Sequence, residues 1–379
     1  MRRLALIALL AGVALLLCGC GVSGEVENQA YVLVLGVDRA DDGQLELTAR
    51  VPKIGKTKAG DSGQSGGDYL TFSASGIEYP QALEALEQAT PRQMNLSHIE
   101  LLVASEALAR EPGFASLVER IAETPHLYTT ARFVVCEGRA RDFIEAQETA
   151  IGTRLSSEIN AMLEHYAQRG YIPDARFADA HYLMGSVYGD PVAILGSTAR
   201  PAESPVLSLI GPSSPVEGIS SPMGQRFSGA ALFREGRMVG ALDARQVMLL
   251  NLIRGDVRAI PFECDGRSYT LTREGHVERE VHFEDGGMTL SVSARLATLD
   301  DVCETDAAQL EDDLEAALRD VIRECQRVGA EPFGFAERAA GQFATLAEWR
   351  AFDWRSAYAD ARVEADVRVG NSAAEMIAN

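Results

Sequence analysis

Long apolar runs are missing beyond residue 17: the stretches 32–37, 99–104 and 247–253 hold at most seven residues each. A helix that crosses a bilayer needs about 20 apolar residues, so these runs fit buried strands or helices of a folded domain. Cations are scarce too, with 35 Lys and Arg against 55 Asp and Glu and a formal net charge of −20 at pH 7. A surface of that sign repels nucleic acid and anionic headgroups, and without a Lys/Arg cluster no nucleic-acid partner is expected. Only six cysteines occur in 379 residues, spaced unlike a zinc ribbon, a CxxC redox pair or a disulfide framework. There is no Walker A loop and no HExxH pair, and neither a nucleophile elbow nor a dinucleotide fingerprint in the strand–turn–helix setting each requires. No cofactor is expected, and no nucleophile or acid–base constellation points to a hydrolase.

What is present begins at the N-terminus. Arg2 and Arg3 precede an uninterrupted apolar stretch over 4–17, and no charge enters before Glu25. That is the layout of a secretory signal peptide, too short at about 1.5 Å per residue to cross ~30 Å of hydrocarbon. The stretch ends Leu17-Cys18-Gly19-Cys20, which is similar to the lipobox of bacterial lipoproteins. Residues 1–19 are therefore expected to be a cleaved signal peptide, with Cys20 the lipidated first residue of a mature chain of net charge −22 once Arg2 and Arg3 leave. At about 0.8 kcal/mol per buried methylene, the two chains of a diacylglyceryl group hold a protein durably at a membrane. Cys136, Cys264, Cys303 and Cys325 remain. They read as buried free thiols, with a Cys303 to Cys325 bridge left open.

A chain of this length exceeds the ~100–200 residues of one typical domain. The run 31–37, the turn formers of 38–43 and the alternation over 45–51 predict a β-hairpin. A strand at 69–74, helices near 77–89, 114–122 and 139–147, an apolar strand at 99–103 and another at 132–136 predict α/β pairing that is partly parallel. Helices follow around 155–166 and 174–184. Residues 199–226, rich in Pro, Ser and Gly, read as a linker or long loop. Beyond it, strands at 227–233 and 238–242 flank a Glu235-Gly236 turn, then come a helix at 244–254, several strands over 258–299, a long helix at 306–328, a helical stretch at 346–358 and a final strand at 361–369. The expectation is a multidomain ectodomain of α+β or mixed α/β type: an N-terminal mixed region over 20–198 with a subdivision near 150, and a C-terminal region of antiparallel strands plus a long helix over 227–376.

Candidate ligand groups have simpler explanations. His276, Glu278, Glu280 and His282 share one strand face at period two, which is a zinc-like set of donor types but reads as a solvated face opposite Val277, Val281 and Phe283. Arg279, on the apolar side of that strand, fits neither reading. Asp41-Asp42 lies in a turn without further calcium ligands, and Glu311-Asp312-Asp313 stands in a helix's first turn, where the macrodipole favours carboxylates. Trp349, Phe352 and Trp354 read as packing residues.

Four segments carry a pattern over nearly the full chain: the lipobox with Glu25, Asn28 and Val34-Leu35-Gly36-Val37-Asp38; Ser97-His98-Ile99 with its strand and Ser105-Glu106; Gly229-Ala230-Ala231-Leu232-Phe233 leading to Met238-Val239-Gly240; and Pro332-Phe333-Gly334-Phe335 followed by Trp349 and a last strand. Together they resemble the Ger(x)C family, lipoprotein C subunits of nutrient germinant receptors. Two departures stand out: Gly21-Val22 where the family commonly has Trp-Asp, and Glu331-Pro332 in place of its usual acidic lead into the Phe-Gly motif. The resemblance implies a non-enzymatic ectodomain outside the inner spore membrane, assembled with two integral membrane subunits. The alternative class is a solute-binding lipoprotein of a transport system, whose two similar α/β lobes this chain does not show.

Overall fold

The computed structural model describes residues 28–53, 69–147, 155–198, 225–284, 287–298 and 302–371. The chain runs through β1 (Gln29–Tyr31), β2 (Val34–Arg39), β3 (Leu45–Pro52), β4 (Tyr69–Gly76), α1 (Tyr79–Ala89), β5 (Gln93–Asn95), β6 (Leu101–Ser105), α2 (Glu106–Ala109), α3 (Phe114–Ala122), β7 (Arg132–Cys136), α4 (Ala140–Glu145), α5 (Leu155–Gln168), α6 (Phe177–Met184) and β8 (Val192–Thr198). Then come β9 (Gln225–Arg234), β10 (Arg237–Leu242), α7 (Ala244–Arg254), β11 (Ala259–Cys264), β12 (Arg267–Arg273), β13 (Glu278–Glu284), β14 (Gly287–Thr298), α8 (Glu304–Val328), α9 (Phe335–Ala340), α10 (Leu346–Ala351), α11 (Trp354–Asp360) and β15 (Arg362–Asn371).

The first sheet has the order β10-β9-β8-β7-β6-β2-β3-β4. Its middle strands β2, β6, β7 and β8 pair in parallel, as strands separated by helices do, while β3, β4, β9 and β10 pair antiparallel. Periodicity assigned nothing to 192–198. Val192, Ala193 and Ile194 are buried in succession because β8 lies inside the sheet, and a strand covered on both faces has no alternation to read. The hairpin β9–β10, read as the opening of the C-terminal region, pairs with β8 and completes this first sheet.

Two residues of the Val34–Asp38 motif explain how a helix lies on β2. A Cβ on Gly36 would stand 2.5 Å from Ile144 Cδ1 and 3.3 Å from Ala140 Cβ, so its absence lets α4 approach. Asp38, buried, accepts the N–H of Ala140 at 2.8 Å and of Arg141 at 3.0 Å, satisfying the first turn of α4.

In the second sheet, β14 is the central strand. β12 and β13 pair antiparallel along one edge and β15 parallel along the other, the single parallel pairing in a sheet expected to be antiparallel. Leu310, Leu314, Leu318, Val321 and Ile322 form the buried stripe of α8, which ends at Gly329 (φ 72°) with the N–H of Ala330 on the Cys325 carbonyl. The 346–358 stretch is two helices, since Asp353 accepts the N–H of Ser356 at 3.2 Å and starts α11 anew.

Alternation on β2 divides the interior. Leu35 and Val37 face a core with Leu47, Leu86, Phe114, Phe133 and Phe233. Val34 faces a second core that continues through Phe143, Phe227 and Leu250 into Leu290, Leu314 and Phe333 beneath the second sheet. The result is a mixed α/β architecture in which the eight-stranded and five-stranded sheets share the second core, and β1 and β5 form a short parallel pair of their own.

Candidate functional site

The segment between α6 and β8 crosses the loop between α8 and α9, and two buried acids, Asp190 and Glu331, meet at that seam. Asp190 donates its N–H to the Glu331 carbonyl at 2.9 Å, and its Oδ2 accepts the Glu331 N–H at 3.0 Å. Arg355, on α11, donates to Asp190 Oδ1 at 3.1 Å and Oδ2 at 3.3 Å. Gly189 makes room: a Cβ there would lie 3.1 Å from Glu331 Oε2. Trp349 Nε1 donates to the Val187 carbonyl at 3.2 Å from the other side.

Glu331 is 2% exposed. Its Oε1 accepts the N–H groups of Phe333 and Phe335, both at 3.0 Å, and Oε2 that of Ala336 at 3.2 Å. The carboxylate therefore stands where the first amides of α9 need an acceptor. Burial pushes its pKa up to about 7, with the nearby Asp190 charge adding to the rise and the three amides opposing it. The sequence places it there because Phe333 and Phe335 are buried anchors and Gly334 takes a left-handed φ of +83° between them. Glu331 is thus the acidic residue that leads into the Phe333-Gly334-Phe335 segment and holds its amides.

Two cavities flank Gly189-Asp190. One, of about 400 Å³, is lined by Tyr182, Tyr188, Arg254, Arg279, Phe333 and Glu337 among others. The second, of about 390 Å³, is lined by Val187, Trp349, Phe352, Trp354 and Arg355 among others. Asp190 and Glu331 are occupied by backbone amides and Arg355, and the Cys325 thiol, the side chain nearest a nucleophile here, is buried with its pKa raised by desolvation. The arrangement ties two regions together and offers no positioned nucleophile–base pair.

The residues singled out from sequence lie elsewhere. Cys20 is outside the described residues. Cys136, Cys264 and Cys325 are buried free thiols, but Cys303 is exposed, as the residue capping the start of α8. Cys303 and Cys325 are not bridged, since α8 holds them about 33 Å apart at ~1.5 Å per residue. His276 precedes β13; Glu278, Glu280 and His282 lie on its exposed face, with His282 Nε2 3.3 Å from Glu280 and 3.2 Å from Ser291 Oγ. Among the described residues no group of three or more His, Cys, Asp or Glu is placed to hold a metal ion. Asp42 accepts the Gln44 N–H at 2.9 Å in its turn. Trp349 and Trp354 are buried in an aromatic chain running from Phe283 through Phe343 and Phe352 to Tyr358. Sequence reasoning missed Asp190 and Arg355; Gly189-Asp190-Pro191 reads only as a turn, and nothing local tells where its carboxylate goes.

Among the described residues no helix is long and apolar enough to cross a membrane. The fold and seam define a mixed α/β protein of two clasped sheets. Residues 23–196 match the family "Spore germination protein N-terminal domain" and residues 228–370 match "Spore germination B3/ GerAC like, C-terminal". The chain belongs to this GerAC family of spore germination proteins. It is 21% identical over 373 residues to the "Putative spore germination protein YfkR" of Bacillus subtilis (strain 168), covering 93% of this chain and 91% of that protein. With "Spore germination protein KC" of the same organism it shares 28% identity over 166 residues, 43% of this chain and 41% of that one. A crystal structure of the GerBC protein has the same fold, at a TM-score of 0.52 and 13% identity, covering 89% of this chain and 97% of that one.

Proposed function

We propose that this chain is the lipid-anchored, non-enzymatic subunit of a spore nutrient germinant receptor and that it works by contact with two integral membrane partner subunits. The observation that carries the reading is the match to both spore germination domain families across nearly the whole chain. The lipobox at Cys20 would supply the membrane link, on the extracytoplasmic face. Confinement to that surface raises effective concentration, so weak interfaces with the partners are occupied without new contacts. The seam supports a contact role, since its acids are already hydrogen-bonded. Nutrient recognition then resides mainly in the partners.

Deleting the gene should abolish nutrient-triggered germination through its own receptor, and Cys20→Ala should leave the protein unprocessed or out of the detergent phase, without labelled palmitate. A Cys20→Ala protein that stays membrane-bound to the same extent without partner subunits would contradict the lipoprotein assignment. Micromolar binding of an amino acid or sugar by the protein alone, read by calorimetry, would revive the solute-binding alternative.

A further inference from the structure

The end of the first sheet at which the chain enters differs in charge from the rest of the molecule. β2 starts there at Val34, beside Arg50 of β3 and Leu101 of β6, and Leu101 lies beside Arg132 of β7. Flanking segments are tied to the same end: β1 pairs with β5, the Val32 N–H donates to the Asn95 carbonyl at 3.0 Å, and the Tyr128 N–H donates to the Leu96 carbonyl at 3.1 Å. Although 55 of the 379 residues are acidic, the stretches 28–34, 50–53, 88–99 and 124–132 that meet there hold no Asp or Glu. Of the acids at the border, Glu100 accepts from Asn160 and Asp174 pairs with Arg132, while Glu123 is exposed at the end of α3. All three lysines of the chain fall at 53, 56 and 58, directly after β3. Lys53 is exposed and, like the half-buried Arg92, has no ion pair among the described residues. His98 and His126 are exposed beside them, and Tyr128 is 52% exposed.

A lipid on Cys20 leaves only residues 21–27 before Asn28, so the attachment lies at most about 28 Å from the entry of β1 even when that stretch is extended. The turn that follows β2 stands a further strand length away, about 20 Å. At ~0.1 M salt a charge is felt over about 10 Å, so anionic headgroups sense the end nearest to them and not the net charge of −20. Cations without a counter-ion are favoured beside lipid phosphates, and a tyrosine ring suits the headgroup level, its body apolar and its hydroxyl wet. We infer that this end is a membrane-contact face on which Lys53, Arg92, His98, His126 and Tyr128 rest against anionic lipid headgroups, with the acidic remainder of the molecule turned away from the bilayer. The inference rests on the lipid link at Cys20 and adds the orientation, which that link alone does not set.

The test uses the full-length, lipid-bearing protein reconstituted without partner subunits into vesicles of phosphatidylcholine with a quarter of phosphatidylglycerol, some of the lipids carrying a nitroxide on the headgroup. Cys303→Ser removes the exposed thiol, and a fluorophore is then attached through Thr129→Cys, next to Tyr128, or through Asp41→Cys, in the turn at the far end of the β2–β3 hairpin. Headgroup nitroxide should quench the Thr129→Cys label several-fold more than the Asp41→Cys label. That difference should shrink in vesicles of phosphatidylcholine alone and in Lys53→Glu/Arg92→Glu, whose exposed positions leave the fold intact by circular dichroism. Equal quenching of both labels, or stronger quenching at Asp41→Cys, on protein that floats with the vesicles overturns the face and leaves the lipid link standing. Protein that does not float with the vesicles overturns the lipid link and the face together. A difference that persists unchanged in phosphatidylcholine alone and in the double variant assigns the orientation to the tether and overturns the headgroup contact.

Discussion

A carboxylate removed from water stays where donors converge on it, and Asp38 and Glu331 do this in two different balances. At Asp38 the amides of Ala140 and Arg141 hold the acid against burial, which is the larger influence and raises its pKa. Asp38→Ala should lower stability by about 1–2 kcal/mol through loss of the α4 cap, read as a lower urea midpoint at unchanged m-value. At Glu331 burial outweighs the amides far enough to bring the carboxyl to about 7. Its folded pKa is raised from 4.5 to about 7, so the folded state binds a proton that the unfolded chain has released. Its contribution to stability is full below pH 4.5 and lost as pH rises through about 7, a span of about 3 kcal/mol. Urea midpoints of Glu331→Gln between pH 5 and pH 8 should therefore fall less with rising pH than those of the wild type. Equal slopes would show that the three amides outweigh burial.

Exposed strand edges invite pairing with other chains, and α8 answers that problem for β15. Glu315 accepts the N–H of Val367 at 3.1 Å and Glu311 that of Val369 at 2.8 Å. The match is geometric, because four residues of helix rise about 6.0 Å and two residues of strand about 6.6 Å. Glu311, read from sequence as a macrodipole partner together with Asp312 and Asp313, is thus an acceptor for an edge strand, and so is Glu315 one turn further on. Glu315→Ala should cost about 1–2 kcal/mol and speed hydrogen exchange at Val367, while Glu315→Gln, which keeps an oxygen acceptor, restores most of the protection. The limits of α8 were nearly readable from sequence, 306–328 against Glu304–Val328, because its apolar stripe and terminal glycine are local signals. The break between α10 and α11 was not, since it turns on one Asp353 cap inside an aromatic-rich run.

At the scale of the whole molecule, the seam decides how the two sheets sit together. Asp190 is buried, and its ion pair with Arg355 is the charged part of the clasp. Arg355→Ala leaves that carboxylate with only the Glu331 amide as donor among the contacts described above, for an expected loss of about 2 kcal/mol, discounted from a fully buried pair because Arg355 is partly exposed. Hydrogen exchange should accelerate at the Asp190 and Glu331 amides and remain unchanged at Leu102 and Val134 inside the first sheet. Uniform acceleration across both sheets would mean that the clasp is one part of a single cooperative unit.

Most strands, the long helix, the hairpin turns and the four family segments were legible in residues close together in the chain, because periodicity, caps and turns are short-range. The seam was not. Asp190 meets Glu331 across 141 positions, β9 closes on β8 across residues 199–224, and β15 enters beside β14 in parallel rather than antiparallel. A buried carboxylate's partner, and the strand that covers an uninterrupted apolar run, are settled by which surfaces exclude water together, and that is a property of tertiary packing alone.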